Sequence, residues 1–424
     1  MPVLRYVSSC SMTLSLIRSA LRTEFRNDPI LRPVNWAFMF AVILESITTI
    51  LALCGLGFYF AALWSARAFV RRKRPEAVSF HPPVSILKPS KGFDHDMYAS
   101  FASHCRQQYA GDYELLFGVS SMDDPAVAAM EQLKAEFPGH AIRLILCPEL
   151  LGTNGKVSNL TQMLPHACYG HILINDSDIK VSPRYLERVM APFQNAGVGM
   201  VTALYRGRAH GTLSSKMEAL GISTDFAAGV LTARKLENGI RFGLGSTLAM
   251  SREALDAIGG LAPLVDYLAD DYELGARIAA KGYRVELSDE VVETTVPAYR
   301  FSQFLAHQLR WARGMRDARK RGYVGVIFTF GLPWAMLNLI VAGGSLSSIA
   351  LLSLIFAARV TLALAVGVGV LRDMQVLRDL WLLLPRDLVA LGVWAWSYAG
   401  NTITWRGHEF ALEDGRLLRI DTKE

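Results

Sequence analysis

HILINDSDI, residues 171–179, decides how this chain is read. A four-residue apolar run, too short for a helix, leads straight into an acidic turn, as a buried strand does at its end. The same form recurs upstream. VSILK (84–88), YELLFGV (113–119) and IRLILC (142–147) are short apolar runs, separated by stretches such as 124–137 with apolar residues at helical spacing. Strand, helix, strand in succession predicts right-handed crossovers and an α/β fold with a mostly parallel sheet. In such a sheet the carboxyl ends of the strands open onto the ligand crevice. Asp176 and Asp178 therefore stand where two carboxylates can hold Mg2+ or Mn2+, a diphosphate supplying further oxygens. The competing reading is an Asx turn capping the next helix.

On either side of this region the composition turns apolar. Of 424 residues, 51% are hydrophobic and only 19% charged, which points to membrane spans. The first 35 residues carry Arg5, Arg18, Arg22, Arg26 and Arg32 and no apolar run of signal-peptide length. Residues 36–66 are long enough to cross a bilayer despite Glu45. Arg67, Arg71, Arg72, Lys73 and Arg74 follow, so the positive-inside rule puts the next segment in the cytoplasm. That segment, 82–321, is the expected catalytic domain. After Arg313, Arg316, Arg319, Lys320 and Arg321 the chain is apolar over 323–342 and 346–371. A third stretch, 380–400, is interrupted by Pro385, Arg386 and Asp387, and either spans or lies in the interface. Residues 323–400 thus read as a membrane region of two or three helices and 401–424 as a tail. The expected location is a multi-pass protein of a bacterial inner membrane.

The net charge of +6 comes from basic residues beside apolar stretches, which favours anionic lipid headgroups over nucleic acid. The five cysteines show no metal spacing and read as reduced core or membrane residues.

Three further segments carry candidate chemistry. Asp123-Asp124-Pro125 follows the second strand, where Asp before Pro is also an ordinary helix start. Asp270 and Asp271 open a helical pattern, a position that the helix dipole favours for negative charge. His307, Arg310 and Trp311 lie on an amphipathic stretch next to the membrane. Arg there suits a diphosphate, and both Arg and Trp also suit a headgroup anchor.

The order of these segments carries a resemblance. Acidic pair, DxD, acidic pair at a helix start, then xxxRW before membrane helices is the D, D, D, (Q/R)xxRW series of inverting family-2 type glycosyltransferases. VSILKPSKGFD (84–94), DDPAV (123–127), GTNGKVSNL (152–160), INDSDI (174–179), LADDYELG (268–275) and HQLRWAR (307–313) are similar to the ceramide glucosyltransferase branch, family 21. The likeness runs from Pro83 to Trp311, with an echo at ITWRG (403–407). It departs at His307, which stands at the (Q/R) position, and in its complete DSD, since some ceramide enzymes lack the second carboxylate. Bacterial hopanoid-associated glycosyltransferases resemble the same branch.

The resemblance implies a Rossmann-like GT-A fold that binds a UDP-sugar. It implies that Pro89 and Asp124 line the uridine pocket, that Lys156 and Asn159 lie near the nucleotide, and that Asp176 and Asp178 hold the metal. Asp271 is then the general base, with Asp270 the weaker candidate. Arg310 stabilises departing UDP and Trp311 shapes the acceptor side. The expected reaction moves a hexose, glucose first, from UDP-sugar to ceramide with inversion. UDP-N-acetylglucosamine as donor, and a hopanoid polyol or diacylglycerol as acceptor, are the alternatives. A processive polysaccharide synthase would need more helices to line a channel, and a non-catalytic scaffold would need the acidic sites to be idle.

Overall fold

A computed structural model describes residues 36–72, 80–405 and 408–420. The extension 1–35 and the Lys73-Arg74 pair lie outside the described residues. The chain divides into two units, 1–47 and 48–424. Among its described residues the first unit is the opening of the helix Trp36–Val70, with Trp36, Phe38 and Phe40 exposed.

The second unit is built on a seven-stranded sheet: β1 Val84–Pro89, β2 Tyr113–Val119, β3 Ala141–Leu146, β4 His171–Ile174, β5 Val198–Ala209, β6 Leu248–Ser251 and β7 Arg284–Val296. The strand order is β3-β2-β1-β4-β6-β5-β7. β1 to β4 form the parallel half that the sequence predicts, and β5 pairs parallel with β7. β6 runs antiparallel to both β4 and β5 and joins the halves. β1 is buried throughout because it is central and covered on both faces. Alternate residues serve the two sides. Leu87, Leu116 and Ile172 pack on Val157, Leu160 and Met163 of the helix Gly155–Met163, whereas Ile86, Phe117 and Leu173 pack on Phe101, Met130 and Leu133. Each such side chain contributes about 1.5–3 kcal/mol on burial.

At the foot of the sheet Glu114 ties three strands together. It accepts hydrogen bonds from Ser85 Oγ (2.6 Å) and the Cys168 N–H (2.7 Å) and pairs with Arg143. Burial works against its charge, but these partners hold its carboxyl below the usual glutamate value.

Among the described residues two helices, Trp36–Val70 and Leu346–Val370, are long and apolar enough to cross a membrane. The stretch expected as a span over 323–342 is a pair of helical segments, Lys320–Thr329 and Gly331–Val341, bent by 54°. Gly55 lies so close to the Gly331 backbone that a side chain there would overlap it. Beside this contact the Leu332 N–H donates to the Tyr59 hydroxyl (3.3 Å), and the Asn338 amide donates to Thr48 and Thr49 (3.1 and 2.8 Å). The third apolar stretch forms the helix Leu383–Ser397, which continues directly from the 3-10 turn Leu380–Leu382. The charges that interrupt it are paired. Arg359, 1% exposed, donates to Asp387 (2.8 and 2.9 Å) and Asp225 (2.6 Å), and Arg386 lies 3.5 Å from Asp225.

The stretch expected as a tail folds instead. β8 Thr402–Trp405, β9 His408–Glu413 and β10 Arg416–Arg419 form an antiparallel sheet around Ile403, Phe410, Leu412 and Leu417. Asp414 and Gly415 make its two-residue turn with φ of 48° and 83°, the left-handed pair that a tight hairpin requires. The Leu268 N–H donates to Gly415 O (3.1 Å), and the Leu417 N–H donates to Asp266 O (2.7 Å). Arg313 reaches Thr402 O on the other side. A second correction concerns cysteine. Cys105 and Cys147 are buried, but Cys168 is exposed and belongs neither to the core nor to an apolar helix.

Candidate active site

The DSD turn is fixed from below. Lys88, fully buried in β1, donates from Nζ to Asp176 O (2.9 Å), and burial lowers its pKa to about 7. Asn175 is also buried and donates to Ser246 O (2.6 Å) and the Tyr185 hydroxyl (2.9 Å). The next helix begins at Tyr185 after an Arg184 cap, so the two aspartates do not cap it. Their carboxylates are left for other work.

Asp176 Oδ1 lies 2.9 Å from Lys156 Nζ, which also reaches Asp270 Oδ2 at 3.3 Å. Lys156 occupies the first turn of Gly155–Met163, capped by the buried Asn154. The Asn154 Oδ1 accepts from the N–H groups of Lys156 and Val157, and its amide donates to Tyr267 O (2.8 Å). Burial opposes the Lys156 charge, but Asp176, Asp270 and Asp271 outweigh it and raise its pKa.

Asp270 and Asp271 open the helix Asp270–Ala280, as the sequence predicts. Asp271 Oδ1 accepts from the Tyr272 N–H (2.8 Å). Its Oδ2 faces Gly245: a Cβ there would stand 3.2 Å from Asp271 Oδ2 and 3.7 Å from Asp176 Oδ2. Glycine thus keeps open a space that both carboxylates border. Burial first, and then Asp270, raise the Asp271 carboxyl to about 6. Asp178 accepts from the Thr294 hydroxyl of β7 at 2.5 Å, and burial followed by Asp176 raises it to about 6.

Pro89 ends β1, and Asn159, almost fully buried, accepts from Ser120 Oγ (3.2 Å) just past β2. Asp124 accepts from Gly92 N–H (2.9 and 3.1 Å) and Ala126 N–H (2.9 Å). It therefore makes the helix-start turn and also restrains the loop after β1.

The helix Phe301–Ala318 carries the RW pair. The Trp311 ring lies 4.7 Å from that of His307, whose Nδ1 is 3.1 Å from Glu218 Oε2 and 3.4 Å from the Tyr299 hydroxyl. Arg310 stacks over Trp405 of β8 at 5.8 Å, so the C-terminal sheet adjoins this motif. Its charge is also felt at Tyr299, where burial and Glu218 raise the phenol. Tyr299 and Thr294 carry no motif and escape sequence reading, whereas Glu218 and Gly245 lie in the stretch 211–245 that the sequence offers for the acceptor side without marking either residue. The ITWRG echo did mark the strand that supplies Trp405.

The carboxyl ends of the parallel strands gather acidic side chains and Lys156, an arrangement that suits an anionic ligand held through a cation. Residues 47–418 match glycosyl transferase family 21. The chain belongs to that family. Ceramide glucosyltransferase 3 of Caenorhabditis elegans is 29% identical to this family 21 chain over 275 residues, covering 63% of it and 59% of the worm protein. Ceramide glucosyltransferase 1 of the same organism is 27% identical over 208 residues, covering 49% and 44%. The family 21 chain thus spans less than two thirds of the length of these curated relatives. Its fold is GT-A-like. The mannosyltransferase PcManGT of Pyrobaculum calidifontis, solved with GDP-Man and Mn2+, superposes with a TM-score of 0.53 at 19% identity, over 84% of this chain and 99% of that one.

Proposed function

We propose that this chain transfers glucose from UDP-glucose to the hydroxyl of a membrane lipid, ceramide, with inversion at the anomeric carbon. The observation that carries the reading is the space beside Gly245, bordered by a carboxylate from the DSD turn and another from the Asp270–Ala280 helix. Membership of family 21 supplies the reaction class.

The donor set fits a divalent cation. Asp176 and Asp178 offer only carboxylate oxygens, which suit Mg2+ or Mn2+, and the Gly245 gap leaves room beside Asp176 that any side chain would fill. When bound, such an ion supplies Lewis-acid stabilisation to the diphosphate leaving group. Lys156 orients Asp176 and adds a positive charge near the phosphates. Pro89, Asp124 and Asn159 line the nucleotide side. Asp271 Oδ2 accepts the proton of the lipid hydroxyl as that oxygen forms its bond to the anomeric carbon. A carboxyl raised by burial is a better base than an exposed one. Arg310 stabilises departing UDP, and Trp311, ordered by His307 and Glu218, bounds the acceptor. The chain is a multi-pass protein of a bacterial inner membrane with its catalytic domain in the cytoplasm, so the lipid offers its hydroxyl at the headgroup plane.

Purified protein offered UDP-glucose or UDP-N-acetylglucosamine against ceramide, diacylglycerol and a hopanoid polyol, with products followed by mass, tests this assignment. Ceramide is expected to gain a hexose. Transfer to the polyol or diacylglycerol alone would replace the acceptor and keep the chemistry. Transfer to a soluble glycan alone would refute the lipid reading.

A further inference from the structure

His95 and Asp96 lie on the loop after β1, and His210 follows the last residue of β5. One ligand atom from each of the three lies within 4.8 Å of the other two. His95 Nδ1 is 3.3 Å from Asp96 Oδ1, and His210 Nε2 is 3.1 Å from Asp96 Oδ2. The two imidazole rings stand 5.3 Å apart.

The orientation of Asp96 is the informative part. It precedes the helix Met97–Cys105, where an aspartate ordinarily caps the first turn, yet its side chain makes no capping bond. The carboxylate turns toward the imidazoles instead. Among the described residues Asp96 Oδ2 and His210 Nε2 are both buried atoms without a hydrogen-bond partner, so their 3.1 Å approach lacks hydrogen-bond geometry. Leaving a buried polar atom unsatisfied is costly, and a shared cation would satisfy both.

We propose that His95, Asp96 and His210 bind a divalent transition-metal ion of the zinc class. Two imidazole nitrogens and one carboxylate oxygen suit Zn2+, with a fourth position left for water, whereas Mg2+ and Mn2+ prefer oxygen donors. The site shares no residue with the DSD and Asp271 cluster, and it does not depend on the transferase reading. Its ion staples the loop after β1 to the end of β5. Asp94, next to His95, accepts from Ser177 of the DSD turn at 3.2 Å, so the staple also restrains that turn from outside.

The test is calorimetric titration of the metal-stripped full chain in detergent with Zn2+ alone, repeated in excess Mg2+. One Zn2+ per chain is expected in both. His95→Ala, Asp96→Asn and His210→Ala should each weaken binding by more than the roughly 10- to 100-fold typical of losing an outer-shell partner, while His408→Ala changes nothing. His95 is largely exposed, so its variant folds whatever the others do. Asp176→Asn/Asp178→Asn should retain the site. Zn2+ X-ray absorption should show imidazole nitrogens. Unchanged affinity in His95→Ala, displacement by Mg2+, loss of binding in the DSD double variant or an all-oxygen shell would each overturn the assignment.

Discussion

Asp176 follows β4 and Asp271 lies in the first turn of the helix Asp270–Ala280, yet they turn carboxylate oxygens toward one point, 3.7 and 3.2 Å from where a Gly245 side chain would begin. Gly245 does not have a left-handed backbone, so an alanine is opposed there by the space it fills and not by its conformation. Gly245→Ala is expected to fold normally and to lower kcat/KM by roughly 100-fold, since small misplacements at reacting groups cost about that much. Thermal unfolding beside steady-state kinetics checks both halves. Full activity would show that the gap is not used.

The foot of the sheet gives a pH-dependent outcome. Glu114 titrates lower folded than unfolded, so its contribution is present above the usual glutamate value and is lost as pH falls through the folded one. The stability difference between wild type and Glu114→Gln should therefore be largest at neutral pH and shrink on the acid side. Denaturation midpoints at a series of pH values would reveal a flat difference if the carboxylate were not charged in the fold.

Arg359 is expected to be a strong structural determinant. Removing it strands Asp387, and in part Asp225, without a counter-charge, and breaking a buried pair typically costs about 3–5 kcal/mol. Arg359→Leu should lower the melting temperature in detergent, and Arg359→Leu/Asp387→Leu should recover much of the loss. Equal destabilisation by the single and double variants would deny the coupling.

Topology can be read at Cys168, which is exposed, whereas Cys105 and Cys147 are buried. With Cys10 and Cys54 replaced by serine, an impermeant thiol reagent should label the chain only after the inner membrane is opened. Labelling of intact spheroplasts would reverse the proposed orientation.

β1 to β4 were legible because each is a continuous apolar run ended by a turn. β5 and β7 were not, since charged residues such as Arg206, Arg208, Glu286 and Glu293 break their runs, and β6 is only four residues long. The acidic positions of the site could be read because each follows a strand or opens a helix. Glu218 and Thr294 could not, because they meet His307 and Asp178 only through the tertiary fold. Arg386 and Asp387 read as a flaw in an apolar stretch for the same reason: Arg359 and Asp225 lie far away in sequence. The C-terminal hairpin did carry a local signal, Asp414-Gly415 between alternating apolar residues, which its short length obscured.

In the proposed reaction the Asp176 and Asp271 cluster transfers a hexose to a lipid with Asp271 as base. Asp271→Asn keeps the shape of the side chain and removes its capacity to accept a proton. With UDP-glucose, divalent metal and ceramide, lipid products quantified by mass spectrometry should fall by roughly 100-fold or more in this variant, while UDP binding measured by calorimetry is retained. Hexosylated lipid at wild-type levels from Asp271→Asn would exclude Asp271 as the base.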